Sequence, residues 1–155
     1  MSWTVFGVFL ALNFAAASAG ALFQPGAWYK TLDKPPWTPP DWAFPVVWSV
    51  LFLMNAYAGA LVWQTGARGV PLAMGVYVAS LAVNFAWSGL FFGLRRMDWA
   101  LADVTMLWLS IAGTMVLFWP ISPIASLLQA PYLVWVTIAA ALNLRVLQLN
   151  PAPAS

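Results

Sequence analysis

The chain has 155 residues, 63% of them apolar, and carries only six Lys/Arg and four Asp/Glu. Charged residues make up 6% of it, against roughly 25% in soluble domains, and with a mean hydropathy of +0.83 this points to lipid as the solvent and excludes soluble, disordered and nucleic-acid-binding classes. The lack of any Cys or His removes disulfides, thiolate chemistry, zinc sites, imidazole catalysis and histidine-ligated haem.

Five apolar stretches are long enough to cross about 30 Å of hydrocarbon at about 1.5 Å per residue. They run over about Trp3 to Phe23, Phe44 to Gln64, Pro71 to Gly93, Trp99 to Trp119 and Ile124 to Leu149. Backbone hydrogen bonds must close inside each stretch, and nothing alternates like a barrel strand. The sequence therefore predicts an all-α membrane protein, a bundle of five transmembrane helices forming one domain over residues 1–155.

In the first span, Ala17-Ser18-Ala19 before Gly20 has the small-residue pattern of a signal cleavage site. No Lys or Arg precedes it, so a retained span is expected. The connection from Pro25 to Ala43 holds Trp28, Tyr29, Trp37, Trp42 and five prolines. Connections this long in compact folds act as lids or binding loops, and tryptophan-rich, glycine-poor sequence argues against disorder. The expected role is a lid over the bundle; the alternative is an aromatic belt anchored among lipid headgroups.

Pro45 and Pro71 fall in the first turns of the second and third spans, where a missing N–H costs little, and Ser122-Pro123 reads as a cap with a first-turn proline. Pro131, about two turns into the fifth span, predicts a kink. Three stripes recur at helical spacing: Phe44, Trp48, Leu51 or Phe52, and Asn55; then Tyr77, Ser80, Asn84, Trp87, Ser88 and Phe91; then Tyr132, Trp135, Ala139, Leu142 and Asn143. Polar stripes of this kind face protein or ligand rather than acyl chains, and three of them predict a shared pocket.

Of the eleven tryptophans, Trp3, Trp63 and Trp119 lie at span ends and are explained by interfacial anchoring, whereas Trp48, Trp87, Trp108 and Trp135 sit deeper and need partners for their indole N–H groups. Asp103, about one turn into the fourth span, is expected to pair with Arg95, Arg96 or Arg145. Small residues recur four apart at Ala16 and Gly20, Gly75 and Ala79, Ala82 and Ala86, and Gly89 and Gly93, a spacing that suits close helix packing or dimerisation. Lys30, Lys34, Arg95, Arg96 and Arg145 fall on one side and Arg68 on the other. In an inner membrane that asymmetry places the N-terminus outside and the C-terminus in the cytoplasm. No carboxylate pair, Ser with a base or phosphate loop is present, so conventional catalysis and metal binding are not expected.

The run Trp28-Tyr29-x2-Leu32-x-Lys34-Pro35-x-Trp37-x-Pro39-Pro40-x-Trp42-x2-Pro45-x2-Trp48 resembles the first-loop signature of the tryptophan-rich sensory protein or translocator protein family, also called the peripheral benzodiazepine receptor family. Asn84-Phe-Ala-Trp87 with Phe91-Phe92-Gly93, Arg96-Met97-x-Trp99-Ala100-Leu101-x-Asp103, Pro131-Tyr132-Leu133-x-Trp135 and Leu142-Asn143 are similar to its later spans. The resemblance implies a five-helix bundle, often a homodimer, with a pocket closed by the first loop and no resident cofactor. It implies as ligands porphyrins such as protoporphyrin IX, cholesterol in animal members, and synthetic isoquinoline carboxamides and benzodiazepines. Carried over by motif, the pocket residues are Tyr29, Trp48, Asn84, Trp87, Trp99, Ala102, Met106, Trp135, Ala139 and Leu142. Leu144 before Arg145 departs from the proposed cholesterol motif of animal members, which favours a bacterial-type protein, and Phe52 stands where Tyr is common. The function implied is an integral membrane binding protein in tetrapyrrole sensing, sequestration or transport. The alternatives are light- and oxygen-dependent porphyrin breakdown through Trp48 and Trp135, and a membrane interaction module without a small ligand.

Overall fold

The computed structural model describes the backbone of residues 1–22 and 27–150, and within these all side chains except those of 19–22, 27, 28 and 92. The predicted end of the first span at Phe23 and the start of the loop at Pro25 lie outside the described residues, as do the side chains of Ala19, Gly20, Trp28 and Phe92. Seven α-helices follow in order: α1 (Trp3–Leu22), α2 (Ala27–Thr31), α3 (Ala43–Thr65), α4 (Val70–Ser88), α5 (Met97–Phe118), α6 (Pro123–Leu128) and α7 (Ala130–Leu149). A π-helical turn over Gly89–Gly93 extends α4, and no strand occurs among the described residues. Ala43–Thr65, Val70–Phe91, Met97–Phe118 and Pro123–Leu149 are long and apolar enough to cross a membrane, and the shorter apolar run of α1 lies beside them. The chain is a helical multi-pass membrane protein.

Local chemistry sets the helix ends. Pro71 occupies the first turn of α4, and the Ser122 hydroxyl accepts the Ala125 N–H at 3.2 Å ahead of Pro123 at the start of α6. Gly66 closes α3 at φ 64°, a left-handed conformation that costs glycine nothing. The interruption expected at Pro131 appears two residues before it, within the Pro123–Leu149 span: α6 stops at Leu128, Gln129 N–H closes onto the Ser126 carbonyl at 3.0 Å, and α7 restarts at Ala130. Pro131 then sits in a first turn, where its missing N–H has no partner to lose.

Two clusters fill the bundle. The first holds Phe9, Phe52, Ala56, Tyr77, Leu81 and Phe118, where α1 packs on α3 and α4. The second lies beneath the first loop and holds Tyr29, Leu51, Trp87, Phe91, Tyr132, Val136, Ala139 and Leu142 together with the inward face of α5. An amide lattice runs beside the first cluster. Asn13 Nδ2 donates to the Phe9 carbonyl and to Tyr77 Oη, each at 2.9 Å, and Asn55 Nδ2 donates to Asn13 Oδ1 at 2.7 Å. Tyr77 Oη donates to the Asn55 carbonyl at 2.8 Å, and Gln129 Nε2 donates to Asn55 Oδ1. All four side chains are buried. One connected set of polar groups thus joins three helices to the break in the fifth span, in surroundings where an unpaired amide costs several kcal/mol by the water-to-hydrocarbon scale of about 4–8 kcal/mol.

Exposed tryptophans mark both ends of the bundle. Trp3, Trp63 and Trp119 stand at the start of α1 and the ends of α3 and α5, and Trp42 and Trp99 at the opposite ends of α3 and α5. That is the arrangement of two interfacial aromatic belts.

Candidate functional site

From Tyr29 onward the first loop is held by backbone and side-chain hydrogen bonds. Leu32 N–H bonds to the Tyr29 carbonyl at 3.2 Å, Thr38 N–H to the Pro35 carbonyl at 3.1 Å, and Ala43 N–H to the Pro40 carbonyl at 2.9 Å. Lys34 Nζ donates to the Tyr29 carbonyl at 2.8 Å and stands 4.5 Å from the centre of the Tyr29 ring. Asp33 and Asn150 bond reciprocally, N–H to Oδ1 at 2.9 Å and Nδ2 to carbonyl at 2.8 Å, which clamps the loop to the C-terminal end of α7. Pro35 and Tyr29 are buried while Trp37 and Trp42 face outward. Burial, with the charge of Asp41 as the lesser cause, pushes the Tyr29 phenol up to about 12.

Beside the loop the aromatic rings meet edge and face. Tyr29 abuts Phe91 at 6.1 Å between ring centres, and Phe91 stacks on Trp87 at 5.2 Å. The π-helical turn, closed by Leu94 N–H to the Gly89 carbonyl at 2.8 Å, supplies the wider register that accompanies the inward placement of Phe91. Trp87 Nε1 donates to Asn143 Oδ1 at 3.0 Å, and Asn143 Nδ2 in turn donates to the Met97 carbonyl at 2.9 Å. Asn84 Nδ2 donates to Tyr132 Oη. Trp48 stacks on Phe52 at 5.5 Å and meets Tyr132 and Trp135 edgewise at 6.0 and 6.4 Å. Trp135 also packs edgewise on Phe44 at 5.7 Å, and its buried Nε1 has no hydrogen-bond partner.

Of the residues singled out from sequence, the structure gathers Tyr29, Trp48, Trp87, Trp135, Ala139 and Leu142 into this cluster, with Asn84 tied to it through Tyr132. It does not bring Trp99, Ala102 or Met106 there. α5 turns Met97, Ala100, Val104, Leu107 and Ile111 inward, and helical periodicity then puts those three on the opposite side, Trp99 at 50% and Met106 at 62% exposure. Trp99 instead lies under the Arg96 guanidinium at 4.0 Å. The stripe on α3 divides: Leu51 joins the aromatic cluster, while Phe52 joins the other cluster and Asn55 the amide lattice. The ion pair expected for Asp103 is not formed with the arginines named for it. Arg96 pairs with Asp98, two residues away, at 2.8 Å, Arg145 bonds Gln148, and Asp103 Oδ2 is buried without a hydrogen-bond partner. Sequence reasoning missed Asn13 and Gln129; the signal available was a lone amide side chain deep inside an apolar span, where only protein can satisfy it.

The arrangement gathers several aromatic rings around the small side chain of Ala139, with fixed polar atoms at Asn84 and Asn143. The family model described as TspO/MBR family matches residues 4–149. Protein CrtK of Rhodobacter capsulatus is 40% identical over 153 residues, which cover 97% of this chain and 96% of that protein. The tryptophan-rich sensory protein of Cereibacter sphaeroides is 43% identical over 150 residues, 97% of this chain and 94% of its own length. The human translocator protein is 40% identical over 121 residues, 75% of this chain and 70% of its own.

Proposed function

Because the chain belongs to the TspO/MBR family, we propose that it is a five-span membrane protein that binds protoporphyrin IX or a related tetrapyrrole, together with other flat hydrophobic ligands, in sensing, sequestration or transport. The observation that carries this reading is the ring cluster of Tyr29, Trp48, Trp87, Phe91, Tyr132 and Trp135 under a tethered loop. Each aromatic pair adds about 0.5–1.5 kcal/mol beyond area burial, so several rings around one tetrapyrrole give useful affinity without a metal ligand. The first loop is the lid, held by the Asp33–Asn150 clamp. The clamp also puts the loop on the side of the C-terminus, in keeping with five spans and with both facing the cytoplasm. The exposed small residues Gly75, Ala79 and Ala82 on α4 suit a homodimer contact.

Titrating purified protein with protoporphyrin IX in darkness, and following tryptophan emission, tests the reading. Saturable quenching that weakens when Ala139 is enlarged to Leu supports it, and quenching no different from a free-indole control refutes it. The edge contact of Trp48 with Trp135 at 6.4 Å favours one second reading, porphyrin breakdown that needs light and oxygen. Protein-dependent bleaching under illumination, lost in Trp135→Phe while dark binding persists, distinguishes it.

A further inference from the structure

We propose that a bilayer-dissolved ligand reaches the ring cluster sideways, through the seam between α3 and α7, with the Trp135 indole as the movable wall. The inference rests on the binding reading above and adds a route and a gate to it.

A groove of about 400 Å³ runs along that seam. Its rims, Val50 on α3 and Val134 and Ile138 on α7, are exposed and apolar, so in a membrane they meet acyl chains. Its back wall includes Leu51 and Trp135, and the same two side chains belong to the cluster under the loop. The partition between lipid and interior is therefore one side chain thick.

Three of the cluster's other boundaries are tied by hydrogen bonds, and α4 lies packed closely along α5. The loop is clamped by Asp33 and Asn150. The seam between α5 and α7 is pinned where Trp108 Nε1 donates to Thr137 Oγ1 at 2.9 Å, and α4 is joined to α7 by Trp87 and Asn143. Among the described residues no side-chain hydrogen bond joins α3 to α7; the nearest tie is Gln129 to Asn55, at the break where α7 begins. In hydrocarbon, helices are held together by side-chain packing and by such bonds, since lipid is as apolar as the side chains it replaces, and α3 and α7 are also among the least closely packed pairs.

Trp135 differs from Trp87 and Trp108 in the same respect. Their indole N–H groups are bonded, whereas that of Trp135 is buried with no partner and the ring is held by contacts to Phe44 and Trp48. A swing of this ring breaks no hydrogen bond, and the N–H gains one if it meets an acceptor. The ligand class that fits is a flat hydrophobe carrying a carboxylate or carbonyl at its edge.

The chain contains no cysteine, so Val50→Cys with Val134→Cys places a unique thiol on each rim. In lipid vesicles, a short bis-maleimide across the pair, confirmed by mass, staples the seam. Binding of protoporphyrin IX is followed by stopped flow. The expected result is that association and dissociation both slow about tenfold or more while the equilibrium affinity stays within about twofold, the signature of a blocked path to an intact site. Wild-type rates in the stapled protein overturn the route and leave the binding reading standing. A weakened affinity with an unchanged association rate also overturns it, because the groove is then the resting site. Loss of saturable binding in the unstapled protein overturns both readings. If the cysteine pair fails to insert, Val134→Phe, which fills the groove from its lipid side, carries the same expectation.

Discussion

Gly59→Ala asks α3 to accept a methyl group where α1 and α4 both press against it. An added Cβ lies 2.6 Å from Phe9 Cδ1, 2.7 Å from Phe9 Cε1 and 2.9 Å from Tyr77 Cζ, where ordinary contact begins at 3.4 Å. The Phe9 ring must give by about 0.8 Å within a close-packed interior, and it is already edge-on to Tyr77 at 5.7 Å between centres. Tyr77 cannot withdraw freely because its hydroxyl is bonded on both sides, by Asn13 and by the Asn55 carbonyl. Helix propensity favours alanine by about 1 kcal/mol, overpacking costs about 1–3 kcal/mol, and each strained membrane hydrogen bond adds about 0.6 kcal/mol. The net expectation is a loss of about 1–3 kcal/mol, read as the shift in an SDS unfolding titration from mild detergent. Gly7→Ala, where a Cβ meets nothing within 4 Å, should not destabilise. Phe9→Leu should relieve the clash, giving a coupling of at least about 1 kcal/mol in the double-mutant cycle. Stability of Gly59→Ala equal to wild type, or zero coupling, would refute the argument. Dark porphyrin affinity of the folded protein should stay unchanged, since Gly59 lies outside the ring cluster.

Asn143→Leu removes the partners of the Trp87 indole and the Met97 carbonyl and should cost about 1–3 kcal/mol in the same titration, with weaker porphyrin quenching. Asn150→Ala releases both clamp bonds, and at about 0.5–1.5 kcal/mol for each tryptic cleavage after the exposed Lys30 should speed up by roughly tenfold; an unchanged rate would mean the loop is held elsewhere. Tyr29 has its phenol raised from 10.0 to about 12 by burial, so the fold favours its neutral form. That stabilisation is fully present below pH 10 and is lost as pH rises towards 12, and hydrogen exchange of the loop should accelerate across that window and not between pH 6 and about 9. On the homodimer proposed above, Gly75→Leu with Ala79→Leu, both on the outward side of α4, should shift the detergent-solubilised protein towards monomer by light scattering; wild-type protein that is monomeric in the same detergent would refute the dimer.

Much of the framework is legible because it depends on local chemistry. The prolines at 45, 71 and 123 and the Ser122 cap fix helix starts through missing or satisfied N–H groups, whatever surrounds them. The inward sides of α4 and α7 are also legible, since Asn84, Trp87, Tyr132 and Asn143 carry polar atoms that lipid cannot satisfy. α5 is different. Its lipid-facing side and its core-facing side are equally apolar, so the contrast that marks a buried stripe in water is missing. Trp99 and Met106 could be assigned inward by motif while the helix turns them out. The break at Gln129 is legible in part, since Pro131 disfavours helix just before it; the partner of the Gln129 side chain, Asn55, is seventy-four positions away and is not.

The division of the interior between an amide lattice and a cluster of rings bears on how such a sequence can diverge. Anchorage resides in one half, through Asn13, Asn55, Tyr77 and Gln129, and the surfaces that would discriminate among ligands reside in the other. On the binding function proposed above, substitutions at positions such as 135 and 139 would act on ligand choice and leave alone the joints that keep α1, α3 and α4 assembled, whereas Trp48 packs on both halves and ties the two together.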